Sequence, residues 1–153
     1  MSFALMLHVL SVVVWVGGMF FAYMVLRPVA AGLLEPPQRL TLWAQVFASF
    51  FPWVWLAVVT LLASGYGMLF LFFGGFAHAP LYVHLMQGIG IVMMLIFGHV
   101  YFAPYRRLQR AVREQDWQGG GRQLAQIRRM VGANLSLGLL NVAIAAGGRL
   151  LIV

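Results

Sequence analysis

Residues 3–26 run for 24 positions without one formally charged side chain. About 20 apolar residues suffice for a helix to cross the hydrocarbon core of a bilayer, so this stretch predicts a membrane helix over residues 3–27. Inside it sits one imidazole, His8. It lies about five residues in from the helix start, roughly 8 Å along the axis at 1.5 Å per residue. An ionisable group at that depth is costly without a partner, which makes His8 a functional candidate.

Three further apolar runs predict spans at 51–73, 81–103 and 130–152, within a single membrane domain covering residues 1–153. With 63% hydrophobic and 8% charged residues the chain cannot be an ordinary soluble domain. The segments 28–50 and 104–129 are expected as loops between spans. Within the first, 38–50 has a helical pattern with Leu40, Trp43 and Phe47 on one side. In the second, 105–117 has the pattern of a basic amphipathic helix, ended by a hinge or loop at Gly119, Gly120 and Gly121. Pro52 predicts a kink or a fresh helix start, and Pro104 the end of the third span. Gly74, Gly75, His78 and Pro80 form an uncharged turn between the second and third spans.

The arginines orient these spans. Arg27, Arg39, Arg106, Arg107, Arg110, Arg113, Arg122, Arg128 and Arg129 fall on the side of the first and third connections, and Arg149 alone on the other. By the positive-inside rule the fold is an all-α integral membrane protein, a four-transmembrane-helix up-down bundle with both termini periplasmic. The formal charge of +7 is thereby explained by topology, and no nucleic-acid partner is implied. The absence of cysteine excludes disulfides, thiolate metal sites and cysteine-held iron–sulfur clusters. No basic residue precedes the first apolar run, which is also too long for a signal-peptide core, so the first helix is expected to be retained.

The topology sets the histidines in depth. His8 and His84 share one level near the outer face, and Arg149 reaches it from the fourth span. His99 lies 15 residues beyond His84, about 22 Å deeper. Two imidazoles at one depth on different helices match the requirement for axial ligation of a haem b iron. His8 and His84 are then the metal ligands. Trp15 supplies an aromatic wall two turns in from His8, Gly88 supplies room one turn in from His84, and Arg149 supplies a propionate partner. His99 and Gln87 are spare polar groups for proton handling.

Each position has a plainer reading. His8 and His84 suit helix-to-helix hydrogen bonding with Asn134, Asn141, Ser64 or Gln87. His99 can reach cytoplasmic water, His78 is a solvated turn residue, and Arg149 can snorkel to the surface. Trp43, Trp53, Trp55, Tyr82, Tyr101 and Trp117 are expected as interfacial anchors, and Gly17, Gly18, Gly65, Gly67, Gly88, Gly90, Gly138, Gly147 and Gly148 as close-packing positions. Copper rivals haem: Met6, Met86, Met19, Met68, Met93 and Met94 with the imidazoles form a soft set suited to copper(I), although methionine also fills apolar interiors.

The segments LHVLSVVVWVGGMFFAYMVLRP, YVHLMQGIGIVMMLIFGHVYFAPY and IRRMVGANLSLGLLNV resemble the copper resistance protein D (CopD) family of bacterial inner-membrane proteins in its short stand-alone form, over nearly the whole chain. The first segment, with Trp15 seven residues after His8 and then Gly17-Gly18, is also similar to HemJ-type protoporphyrinogen oxidases. That second resemblance implies haem b on His8 and on His84 or His99. It departs at Met86, where the HemJ pattern has lysine soon after the third-span histidine, and at Gly18-Met19-Phe20-Phe21, where that pattern reads Gly-Leu-Phe-Tyr. The first resemblance implies copper uptake into the cytoplasm.

The main expectation is a haem b protein of the bacterial inner (cytoplasmic) membrane carrying out electron transfer or oxidoreduction, with quinone, oxygen or a porphyrinogen as partner. The alternatives are a copper(I) uptake or resistance protein and a structural subunit of a larger membrane complex. Membrane lipid is the expected surrounding, with a homo-oligomer or a membrane complex as the higher assembly.

Overall fold

The computed structural model describes residues 2–151, with side chains through Gly148. Four long helices account for nearly all of it: Ser2–Leu33, Pro36–Phe72, Leu81–Arg113 and Trp117–Leu151. Each is long and apolar enough to cross a membrane. At 32 to 37 residues they are about 50 Å long and so overreach a hydrocarbon core of about 30 Å by several turns. The expected loops 28–50 and 104–129 are therefore mostly helix, and the turns shrink to 34–35 and 114–116.

Both prolines that interrupt the apolar runs are absorbed. Pro104 lies within a π-helical turn, Tyr101–Tyr105, and the helix continues through Arg106–Arg113 instead of stopping. A second π-turn, Phe21–Leu26, precedes Pro28, and the Arg27 N–H reaches back five residues to the Ala22 carbonyl. Widening the turn by one residue accommodates a position that lacks an N–H donor. Pro52, exposed, sits inside the continuous helix Pro36–Phe72.

The glycine run Gly119–Gly121 is also helical, for a reason its composition hides. Asp116 caps the fourth helix by accepting the Gly119 N–H at 2.9 Å, and a Cβ on Gly119 would collide with that carboxylate. At Gly120 a Cβ would meet Leu40 at 3.2 Å and Ala111 at 3.5 Å. These glycines let the fourth helix start close against the second and third.

The first helix meets the second with Gly18 beneath the Phe50 ring and His8 beside Gly65. The third meets the fourth through two equivalent rungs: the Asn134 side-chain amide donates to the Met93 carbonyl at 3.3 Å, and Asn141 to that of Met86 at 3.2 Å. Asparagine and its acceptor both recur at seven-residue spacing, and Gly148 extends the seam by admitting Tyr82, whose Cβ lies 2.7 Å from where a glycine Cβ would stand. In lipid there is no hydrophobic drive between helices, so close packing and such hydrogen bonds hold them. The second and third helices interlock through aromatics, Phe51 standing edge-on to Phe97 at 5.4 Å and to Tyr105 at 4.8 Å, and Trp55 to Phe97 at 5.0 Å. Trp43 is buried and Trp55 half-buried in this core, a correction to their reading as interfacial anchors, whereas Trp53 is 60% exposed. Of the glycines, Gly18, Gly65, Gly138 and Gly148 make close approaches, while Gly17, Gly67, Gly88 and Gly90 have open space.

Candidate functional site

At the His8 end every helix carries a polar group into the apolar bundle: His8, then Ser64 and Tyr66, Gln87, and Asn141. His8 is half-buried and approaches the second helix closely where Gly65 has no side chain, a Cβ there falling 3.3 Å from His8 Cε1. Its Nδ1 is 2.9 Å from Ser64 Oγ. The Ser64 hydroxyl donates to the Thr60 carbonyl at 2.6 Å. A carbonyl can only accept, so the single hydroxyl proton is committed there and Ser64 Oγ must accept from His8 Nδ1–H. In the neutral ring this leaves Nε2 as a bare lone pair, the arrangement by which outer partners prepare a histidine for a metal.

The other expected ligands are not brought to it. His84 is exposed, its ring laid near-parallel to Phe76 at 6.2 Å and 25°. His99 and His78 are exposed, the latter in the short helical turn Phe76–His78. Gly88 is exposed with open space about it. Trp15 is buried, but Phe97 fills the place beside it, edge-on at 6.1 Å. The side chain of Arg149 lies outside the described residues. The first and third helices sit on a diagonal, each packed mainly on the second or fourth. As they lie, these residues do not make a bis-histidine haem site, and haem b has no support in this geometry. Among the described residues no group of three or more His, Asp or Glu side chains comes together.

Two methionines line one cavity deeper in the bundle. Met19 on the first helix and Met93 on the third are 4% and 3% exposed. Met19, Met130 and Asn134 line one small cavity of about 30 Å³, walled otherwise by apolar and aromatic side chains including Phe47, Phe51 and Phe97. Asn134 is 3% exposed, and with its amide nitrogen turned to Met93 its Oδ1 has no hydrogen-bond partner among the described residues. A buried bare acceptor costs about 1–3 kcal/mol, so this oxygen asks for a reason. The cavity's polar and soft lining residues are two methionines and one asparagine, residue types whose thioether and amide oxygen suit a soft monovalent cation. Met130 and Asn134 were not legible as a pair with Met19, because each helix is apolar on all sides and its sequence does not say which face turns inward.

No curated protein and no solved structure matches the chain, and the similarity to HemJ-type oxidases receives no support. A family model described as copper resistance protein D matches residues 44–147, about two thirds of the chain, from the second helix through most of the fourth. This cysteine-free chain with four membrane-length helices is a member of the copper resistance protein D (CopD) family.

Proposed function

We propose that this protein handles copper(I) inside the bacterial inner membrane, as an up-down bundle with both termini periplasmic and the arginine-bearing ends cytoplasmic. His8 Nε2 receives the ion near the outer face, and the cavity of Met19, Met130 and Asn134 holds it midway along the bundle. The family supports the link to copper, and the observation that carries the site is that Met19, Met130 and Asn134, from two helices, line one cavity and that the Asn134 amide oxygen is buried without a partner among the described residues. Thioether and imidazole are soft donors suited to copper(I). With no carboxylate among the residues lining the cavity, a divalent hard cation finds no oxygen cage there.

The test is a competition titration of the detergent-solubilised protein with copper(I) and a chromophoric chelator, on the native chain, Met19→Leu/Met130→Leu and His8→Ala. Leucine conserves the volume of methionine and should cost less than about 1.5 kcal/mol of stability. The native chain should retain copper(I), and the double substitution should weaken it by at least about tenfold, which is ~1.4 kcal/mol. His8→Ala should slow loading more than it changes final affinity. Equal affinity in all three proteins, or a purified protein with a Soret band and no copper, would overturn the proposal.

A further inference from the structure

At the end of the bundle away from His8 lies a much larger cavity, about 340 Å³, between the first, second and fourth helices. Arg27, Arg39 and Arg128 line it, one from each helix, and none of the chain's three carboxylates does. Its remaining wall is mostly apolar and includes Trp43 and Trp117. Arg27 is held in place: its guanidinium lies over the Tyr23 ring at 4.3 Å. Tyr23 in turn seats against Gly132, where a Cβ would be only 3.0–3.1 Å from the ring.

Three guanidiniums around an apolar volume call for a ligand that is anionic at one end and oily along the rest. Guanidinium binds phosphate through paired N–H donors, and the volume falls in the range of pockets that hold small molecules. We infer that this cavity binds the phosphate headgroup of an anionic phospholipid, its acyl chain following the apolar wall between the first and fourth helices. Basic pockets between membrane helices at an interface recognise lipid headgroups in this way. The diffuse alternative, general attraction of the basic surface for anionic lipid, is separable because Arg106, Arg107, Arg110 and Arg113 are exposed on the third helix and none lines the cavity.

Native mass spectrometry of the delipidated full chain in detergent, titrated with phosphatidylglycerol, with phosphatidylcholine of the same acyl chains, and with inorganic phosphate, reads this directly. Phosphatidylglycerol should fill one site at least about tenfold more tightly than phosphatidylcholine, and inorganic phosphate should not compete at equal concentration. Arg27→Gln/Arg39→Gln should weaken phosphatidylglycerol by about thirtyfold, while Arg106→Gln/Arg110→Gln leaves it unchanged. Gly121→Leu, at a lining position where an added Cβ meets nothing within 4 Å, should fill the volume and weaken the lipid with every charge kept. Equal binding of the two lipids, or equal loss in both arginine pairs, would overturn the inference. Tight binding of phosphate alone, or no effect of Gly121→Leu, would do the same.

Discussion

Asn134→Leu separates stability from copper binding, because the same side chain does opposite things to the two. In the metal-free protein Asn134 gives one interhelical hydrogen bond to the Met93 carbonyl, at 3.3 Å. Such bonds in membrane helices average about 0.6 kcal/mol. That carbonyl lies inside a regular helix, so it keeps its i+4 N–H partner when the asparagine is lost. Against this stands the bare Oδ1 of a residue 3% exposed, a burden of about 1–3 kcal/mol. Leucine has nearly the shape of asparagine, and the adjoining cavity of about 30 Å³ gives its extra volume room. The difference favours leucine by about 1 kcal/mol, or a rise of about 2–4 °C in thermal midpoint for a chain of this size. The assay is thermal unfolding in mild detergent, with and without copper(I). The metal-free variant should be more stable than the native chain, and the stabilisation that copper(I) gives the native chain should shrink in the variant. A metal-free variant destabilised by 1 kcal/mol or more would mean that Oδ1 is already satisfied, and would refute the reasoning about why the oxygen is bare.

Other substitutions probe the packing and the outer histidine. Ser64→Ala removes the acceptor that fixes His8 Nδ1–H; as in His8→Ala, copper(I) loading should slow, by about 10-fold or more, with final affinity changed less, and Ser64→Thr should retain most of the native loading rate. Phe51→Ala empties the centre of the aromatic seam between the second and third helices, and denaturation in detergent should report a loss of about 3–5 kcal/mol. Asp116→Ala removes the cap of the fourth helix and should cost about 0.5–2 kcal/mol by the same measurement, with amide exchange rising first near Gly119.

Four membrane-length helices were legible because uncharged runs of that length have no other comfortable state. The amphipathic segments were legible too: Leu40, Trp43 and Phe47 are buried on one face as the spacing predicts, and Arg106, Arg107, Arg110 and Arg113 are exposed around buried Leu108 and Ala111. Loop chemistry misled the reading at Pro104 and Gly119–Gly121, because a π-turn and a close helix crossing are tertiary answers to local signals. The histidine pairing was illegible for a deeper reason. Depth along a helix follows from counting residues, but azimuth does not when apolar residues cover every face, as the exposed Val13, Leu71 and Leu95 show. His8 and His84 share an end of the bundle, yet one turns to Ser64 and the other outward beside Phe76. The same ambiguity concealed that Met19 and Met130 line one cavity.

The central claim is that copper(I) sits among thioethers within the bundle. X-ray absorption at the copper edge, on the full chain loaded with one equivalent of copper(I) in detergent, tests it directly. Sulfur scatterers should appear in the first coordination sphere and disappear in Met19→Leu/Met130→Leu; a sphere of nitrogen and oxygen alone, unchanged by that substitution, would contradict copper(I) binding among thioethers.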